Sequence, residues 1–311
     1  MPTRRKVLTL ATAVCASAVL PRIASARPAE GGVGFGFSLY GMKNLPLVDA
    51  LRRCAEVGYD CIELPTMADW PGAPERFSAE DRKRFRNSLA EHSLRLSALM
   101  ENMVLLAAPE MHAKNLNRLR DAALLGHELK PTGEAVIETV MGGQPSQWDE
   151  VRNAMAERLS EWAKVGEQTQ SIIAIKAHIS GAAHRPEHIR WLLDQVQSPS
   201  LKAAFDFSHF QLRGLNMKES WSMLASDTVF IHIKDSTGDP QKFQFVLPGE
   251  GTIDYLEYLK LLRDSSYQGD VLVEVSGQLH NRPDYDPIAA CKKSYAIAAQ
   301  FERAGLKRRR L

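Results

Sequence analysis

The stretch Leu201–His209, with the sequence LKAAFDFSH, contains the pattern that decides the fold of this chain. A short apolar run ends abruptly in Asp206, and His209 follows three residues later. Comparable runs lie on both sides of it along the chain, as IIAIKAH at 172–178 and VFIHIKD at 229–235. Aliphatic and aromatic runs this short are typical of strands that are buried on both faces of a parallel sheet.

Similar short runs alternate with longer amphipathic segments along the whole chain. The predicted strands are 33–39, 61–64, 95–100, 135–140, 172–176, 201–205, 229–233 and 271–275. The predicted helices are 47–57, 78–91, 115–125, 148–165, 187–196, 217–224, 253–262 and 287–304. This alternation predicts a parallel sheet, and no dinucleotide-type glycine fingerprint follows the first strand, which favours a closed barrel over an open doubly wound sheet. We therefore predict one α/β domain, a (β/α)8 TIM barrel over residues 31–305.

The first 26 residues have the composition of an export signal. Thr3-Arg4-Arg5-Lys6 precedes an uncharged stretch to Leu20, and Ala24-Ser25-Ala26 is a small-x-small cleavage pattern. The paired arginines favour the twin-arginine route and a periplasmic location. The apolar run is too short for a comfortable membrane span, although an uncleaved anchor is the alternative.

Charge and cysteine content exclude several classes of protein. Cleavage after Ala26 would remove four of the 39 basic residues and none of the 37 acidic ones, so the net charge becomes 35 − 37, about −2. Such a body lacks the basic face of a duplex-binding protein, and no nucleic-acid partner is expected. The basic run at 306–311 is predicted to be a solvated, disordered tail. Cys54, Cys61 and Cys291 have no disulfide or zinc-finger spacing and are predicted to be buried.

Polar residues follow the late strands, where the active site of such a barrel is built. The fifth strand ends in Lys176 and His178, and the sixth in Asp206 and His209. The seventh strand contains His232 and ends in Lys234 and Asp235, and the eighth contains Glu274. Histidines and carboxylates that converge from separate strands are the ligands that divalent ions need.

These segments resemble, in the same order, those of the xylose isomerase-like sugar isomerase and epimerase family. The similar segments are AFDFSH at 204–209, FIHIKD at 230–235, PGEGTIDY at 248–255, and Tyr267-x-Gly269 followed by Glu274. The early half of the chain matches only in general pattern. The family includes ketose 3-epimerases, hydroxypyruvate-type isomerases, inosose dehydratases and, more distantly, abasic-site endonucleases. The last activity is the least expected here, because the basic surface and the additional metal histidines are missing.

The resemblance implies a divalent ion (Mn, Co, Mg or Zn) held by Asp206, His232 and Glu274. It implies a proton-transfer role for Glu274, and Lys176 and Glu138 are the further catalytic candidates. The predicted substrate contacts are His209, His178, Lys234 and Glu63. The family carries a ligating Glu on its fifth strand, and here that position is Lys176, which leaves three interpretations open. The metal binds through three ligands, with Glu138 or His178 helping; Lys176 acts as a base or electrostatic partner, its pKa lowered by the ion and by burial; or the metal is lost.

Several of these residues also have structural interpretations. His209 and His178 could be core histidines, Glu63 and Glu138 could form buried salt bridges, and Lys234 could pair with Asp235. Trp70 and Trp148, which lie in or beside loops after strands, could line a sugar pocket or simply pack against the fold. The Gly249-Glu250-Gly251 loop is interpreted as a turn that needs glycine.

The predicted function is metal-assisted isomerisation or epimerisation of a small sugar or polyol, by proton abstraction next to a carbonyl. One alternative is a lyase or dehydratase that expels a substituent from the same enediolate. An alternative of another class is a sugar-binding barrel without turnover. A homo-oligomer is possible.

Overall fold

The computed structural model describes residues 31–130, 132–265 and 267–310. The eight predicted strands form one closed barrel of parallel strands, in which each strand neighbours the next in the chain and the last pairs with the first. The barrel strands are β1 Gly34–Ser38, β2 Cys61–Pro65, β3 Arg95–Met100, β4 Ala135–Val140, β5 Ser171–Lys176, β6 Leu201–Phe205, β7 Thr228–Ile233 and β10 Asp270–Val273. The predicted (β/α)8 barrel is confirmed.

A two-stranded antiparallel hairpin that we did not predict follows β7. It consists of β8 Asp235–Gly238 and β9 Phe243–Val246. Its turn is built on Asp239, whose carboxylate accepts hydrogen bonds from the backbone N–H groups of Gln241 and Lys242, both at 2.9 Å. The segment lacks an Asn-Gly or Asp-Gly turn pair, which is the strongest sequence signal for a short hairpin.

Helices surround the barrel. They are α1 Leu47–Val57, α2 Ala79–Glu91, α3 Pro109–Leu129, α4 Trp148–Thr169, α5 Pro186–Val196, α6 Phe207–Gln211, α7 Met217–Leu224, α8 Tyr255–Asp264, α9 Gly277–His280, α10 Pro287–Ser294 and α11 Ala298–Arg303. The predicted end of α1 at Gly58 is confirmed, since Gly58 takes φ 104° and its N–H bonds back to Ala55 and Cys54. Helix α3 is longer than predicted because Pro109 begins it at a position where the missing N–H costs nothing. The predicted last helix is interrupted by a 3-10 turn at Tyr295–Ile297.

The barrel interior holds two layers of side chains, and the first is apolar. It consists of Cys61, Ala98, Ala174, Ala204, Phe230 and Leu272, all buried. Because side chains alternate along a strand, the residues two positions further on also point inward, one layer closer to the carboxyl ends of the strands. For β7 and β10 these are His232 and Glu274, and for β6 the position is Asp206, directly after the strand.

The basic segment near residue 308 is not the solvated tail that we predicted. Val33 and Arg308 pair as a parallel β-bridge, and Arg308 forms a 2.8 Å ion pair with buried Asp60. Arg309 lies 2.6 Å from Asp270, which also pairs with Arg95 at 3.0 Å. Two buried carboxylates at the amino ends of the strands need these arginines, so the segment closes the base of the barrel.

The structure also bears on the cysteines and on the possibility of a membrane span. Cys54, Cys61 and Cys291 are free and buried, as predicted. Within the described residues, none of the helices has the length and apolar character needed to span a bilayer. The export signal that we predict at residues 1–26 lies outside the part of the chain that the structure describes.

Candidate active site

Lys176, at the end of β5, lies at the centre of a buried cluster of polar side chains. Its Nζ lies 3.0 Å from Glu138 Oε1, 3.3 Å from Glu274 Oε1 and 2.8 Å from His232 Nδ1. Burial would lower the pKa of Lys176, but Glu138 and Glu274 outweigh burial and raise it. This is opposite to the direction that we suggested from the sequence. With these neighbours Lys176 is an ammonium group that donates hydrogen bonds.

Lys234 supplies a second buried ammonium group. It bonds Asp206 and lies 2.5 Å from Glu274 Oε2. Glu274 therefore has one lysine on each carboxylate oxygen. Although burial alone would raise the pKa of Glu274, Lys176 and Lys234 lower it well below its usual value. Glu274 is an anion across the physiological pH range.

Asp235 does not form the ion pair with Lys234 that we considered. Its buried carboxylate accepts hydrogen bonds from the backbone N–H groups of Gly249, Thr252 and Ile253, at 3.1, 3.0 and 3.2 Å. Gly249 takes φ 87°, which confirms the predicted need for glycine at this turn. A Cβ on Gly251 would lie 2.2 Å from the Asp235 carboxylate, so close approach requires glycine there as well. Asp235 thus ties the loop before α8 to the end of β7.

His232 is held in one tautomer by its neighbours. Its Nε2 lies 2.9 Å from Glu63 Oε2, and Ser38 Oγ donates to the same carboxylate oxygen at 2.5 Å. Because Glu63 accepts, the Nε2 carries the proton. The Nδ1 of His232 then presents a lone pair, which accepts from Lys176 and faces Glu274 Oε2 at 3.6 Å.

Asp206, His232 and Glu274 form a candidate metal-binding group. One ligand atom from each lies within 4.8 Å of the others, and all three side chains are buried. Two carboxylates and an imidazole whose Nδ1 is unprotonated suit a borderline divalent ion, and a carboxylate on the far nitrogen is the usual support for a ligating histidine. The donor set fits a three-ligand centre, although Lys234 contacts two of the same carboxylates.

A second candidate group lies deeper in the barrel, at Glu63, Glu138 and His232. Glu63 and Glu138 are fully buried and do not line the cavity described below. Burial raises the pKa of Glu138 to about 7. We predicted a substrate contact for Glu63 and a catalytic role for Glu138, but the structure places them beneath the pocket, paired with His232 and Lys176 respectively. This placement matches the buried salt bridges that were the alternative interpretation.

His209 and His178 lie side by side above Asp206, with ring centroids 4.5 Å apart. His209 accepts from the backbone N–H of Ile179 through Nδ1 at 3.2 Å, and its Nε2 lies 3.4 Å from Asp206 Oδ2. Burial, reinforced by Lys234, lowers the pKa of His209 well below its usual value and that of His178 to about 4. Both are neutral imidazoles that can exchange hydrogen bonds with a polyhydroxyl ligand.

A cavity of about 160 Å³ opens onto this cluster. Of the predicted site residues, Lys176, His178, His209, Lys234 and Glu274 line it. It is also lined by seven residues that we did not predict as site residues: Tyr40, Asn102, Val140, Phe245, Ser276, Gly277 and Gln278.

Three of these residues could have been predicted from the sequence. Tyr40, Asn102 and Ser276 closely follow predicted strands, which was the available signal. Phe245 could not have been predicted, because it belongs to the hairpin, which we did not predict. Its ring centroid lies 4.9 Å from Lys234 Nζ and covers that side of the site. Trp148 packs on His188 with ring centroids 3.9 Å apart and does not line the cavity.

A closed parallel barrel with a buried cluster of acids, imidazoles and lysines at the carboxyl ends of its strands defines an α/β-barrel protein with a candidate active site at its mouth. The chain belongs to the xylose isomerase-like TIM barrel family, whose family model matches residues 51–293.

Curated relatives of this chain are epimerases, isomerases and dehydratases. Fructoselysine 3-epimerase of Shigella flexneri is 22% identical over 282 residues, which cover 86% of this chain and 99% of the relative. Inosose isomerase of Bacillus velezensis is 25% identical over 258 residues, covering 80% of this chain and 88% of the relative. Inosose dehydratase of Clostridium perfringens is 22% identical over 205 residues, covering 61% and 66%.

Solved structures share the fold. The 3-keto-D-glucoside 4-epimerase YcjR of E. coli has a TM-score of 0.68 at 16% identity, over 86% of this chain and 99% of that one. The IOLI protein with a bound zinc atom has a TM-score of 0.72 at 19% identity, with the same coverage. D-allulose 3-epimerase from Methylomonas sp., in complex with D-allulose, has a TM-score of 0.67 at 17% identity, over 87% and 97%.

Proposed function

We propose that the protein is an isomerase or epimerase of a keto-sugar that abstracts the proton next to the carbonyl group. The observation that carries the proposal is Glu274, an anionic carboxylate that lines the cavity and is flanked by Lys176 and Lys234. The names of the relatives support the same reaction class.

Each group around the cavity has a role in this chemistry. Glu274 accepts the proton from the carbon next to the carbonyl group. Lys176 and Lys234 stabilise the negative charge that develops on the oxygens of the enediolate, because both are buried ammonium groups fixed by their partners. His178 and His209 orient the hydroxyl groups of the sugar and can carry a proton between neighbouring oxygens.

Asp206, His232 and Glu274 are the residues that would hold a divalent ion, either Mn, Co, Mg or Zn. When bound, the ion supplies polarisation of the carbonyl group and so lowers the barrier to proton removal. Ser38 and Glu63 maintain the His232 tautomer that ligation through Nδ1 requires.

One observation favours elimination as a second candidate reaction. Lys176 stands where the family pattern has a carboxylate, so the site offers one anionic base with ammonium groups beside it. Elimination needs one base for the proton and one acid for the departing oxygen, whereas inversion needs a proton acceptor and a proton donor on opposite faces. A dehydratase of keto-sugars is therefore the alternative outcome of the same enediolate.

Proton exchange tests the proposal directly. Purified protein loaded with Mn²⁺ or Co²⁺ is incubated in heavy water with a panel of ketohexoses and keto-glycosides, and deuterium incorporation is followed by NMR and mass spectrometry. We expect wash-in next to the carbonyl group, and the product mass distinguishes isomerisation from loss of water or an alcohol. Glu274→Gln should reduce the exchange rate by about 100-fold or more, since it removes the base.

The matched control is Glu257→Gln, because Glu257 is exposed on α8, away from the cavity. Its exchange rate should equal that of the wild type. No exchange with any substrate and any of the four metals, combined with measurable sugar binding by calorimetry, would instead identify a non-catalytic sugar-binding barrel.

We also propose that residues 1–26 direct twin-arginine export to the periplasm. Cell fractionation should find the mature chain in the periplasm, and Arg4→Lys combined with Arg5→Lys should retain the precursor in the cytoplasm.

A further inference from the structure

We propose that a second cavity beside the active site, built around Trp70, binds a neutral sugar unit attached to the reacting keto-sugar, so that the substrate is a keto-glycoside larger than a monosaccharide. This inference rests on the proposed function and specifies its substrate class.

The main cavity is small for a complete substrate. Its volume of about 160 Å³ lies below the ~300–1000 Å³ typical of ligand sites. The hairpin limits it on one side, where Phe245 covers Lys234. On another side, the wall formed by Tyr40 adjoins the loop that follows β2, because Tyr40 packs on Trp70 of that loop.

Tyr40 connects the two cavities. It lines the main cavity, and its ring stacks on Trp70 with centroids 5.0 Å apart and planes at 21°. His280 packs edge-on against the same tyrosine at 4.5 Å and supports it from α9. Tyr40 therefore lies between the main cavity and Trp70, and a ligand that extended past Tyr40 would contact Trp70.

Trp70 lines a second cavity of about 480 Å³, a volume within the range of ligand sites. The other lining residues are Lys43, Asn44, Asp69, Pro71 and Arg76. An aromatic ring surrounded by donors and acceptors suits a sugar, whose C–H faces stack on aromatic rings and whose hydroxyl groups need both kinds of partner.

The charges around Trp70 favour a neutral occupant. Lys43 bonds the side chain of Asn281, and Arg76 donates to the backbone carbonyl of Asp69 at 2.6 Å and lies 3.9 Å from its carboxylate. Each cation already has a partner, so neither is free to bind an anionic group without losing one.

The Trp70 loop is ordered before any ligand arrives. The Trp70 N–H bonds Met67 O at 3.1 Å, and the Trp70 carbonyl accepts from Ala73 N at 3.0 Å. A Cβ on Gly72 would lie 2.5 Å from Pro65 O, so the loop is seated tightly on the end of β2. A preformed platform costs less entropy on binding than a mobile one.

The test compares two substrates of one chemistry: 3-keto-cellobiose, and the methyl glycoside of 3-ketoglucose. We measure kcat/KM for both and take their ratio. We expect wild-type protein to prefer the disaccharide, and Trp70→Ala to lower the ratio about tenfold, the loss expected for one stacked ring. The control is Trp191→Ala, because Trp191 is also half-buried but lines neither cavity. Its ratio should stay at the wild-type value.

A wild-type ratio near one, or a ratio that Trp70→Ala leaves unchanged, overturns the inference while the proposed function stands. If neither substrate reacts, the proposed function fails for this substrate class. Calorimetry with cellobiose and methyl β-glucoside then tests sugar binding at the second cavity independently of any reaction. Tighter binding of cellobiose that disappears in Trp70→Ala supports the sugar-binding cavity; equal binding of both sugars refutes it.

Discussion

At the scale of single residues, Lys176 distinguishes this site from the family pattern. It is buried and lies within hydrogen-bonding distance of Glu138, Glu274 and His232. Lys176 thereby gives Glu274 and His232 a hydrogen-bond partner, and Glu138 an ion-pair partner. An ion held by Asp206, His232 and Glu274 would lie beside this ammonium group and would have to overcome its charge, which would weaken metal affinity.

Replacing Lys176 by Glu should convert the site into a strong metal centre. Without metal, Lys176→Glu removes the partner of Glu138 and adds a buried charge, so the free energy of unfolding should fall by about 3 kcal/mol or more. With Mn²⁺ a fourth ligand is available, and both affinity and Tm should rise above the wild-type values. Calorimetric titration and thermal melts with and without EDTA measure both effects.

Lys202→Glu is the control for this charge reversal, because Lys202 pairs with Asp227 at the amino end of β6 and does not line the cavity. It should leave metal affinity unchanged. Equal metal affinity in Lys176→Glu and wild type would show that position 176 is not beside the ion.

At the scale of elements, the loop between the hairpin and α8 depends on one carboxylate. Asp235 is fully buried and accepts from the backbone of Gly249, Thr252 and Ile253. Asp235→Asn places an NH₂ group where only acceptors fit or leaves N–H groups unpaired, so it should destabilise the protein by about 1–3 kcal/mol. Urea unfolding measures the loss.

Asp239→Asn provides the comparison within the same segment. Asp239 also accepts two backbone N–H groups, but it is exposed at the hairpin turn, where water replaces a lost partner. Its substitution should change stability by less than about 0.5 kcal/mol. Similar losses in both variants would contradict a special role for the buried carboxylate.

Some of these strands and site residues could be predicted from the sequence, and others could not. Barrel strands such as Leu201–Phe205 were predictable because each is a short apolar run between longer amphipathic segments. Asp206, His232 and Glu274 were predicted together because their segments resemble those of the family, and the structure groups them at the strand ends. The contact of Lys176 with Glu274 was not predictable, since it joins β5 to the end of β10 across the barrel and depends on barrel closure, which no local pattern encodes.

At the scale of the whole molecule, the free energy of unfolding at acid pH should depend on the ion pairs at the amino ends of the barrel strands. Burial alone would raise the pKa of Asp270, but Arg95 and Arg309 outweigh it and lower the pKa to about 2. A carboxyl with a depressed folded-state pKa stabilises the protein above its unfolded pKa, and that stability is lost as the pH falls from about 4 to about 2.

Asp270→Asn removes this pH-dependent contribution. The wild type should lose about 2 kcal/mol more than Asp270→Asn between pH 5 and pH 2, as measured by urea unfolding. Asp264→Asn, which alters an exposed ion pair with Arg263, should follow the wild-type curve. Parallel curves for all three proteins would show that Asp270 titrates normally.

The pairing of Val33 with Arg308 has a practical consequence for handling this protein. Both segments lie at the amino ends of the strands, on the face opposite to the cavity. An affinity tag, a fluorescent reporter or a solid support attached beyond either segment therefore leaves the mouth of the barrel unobstructed. The same proximity makes a circular permutant practical: a short linker joining the two segments, with new termini opened in an exposed turn such as the one at Asp239, should keep the barrel closed.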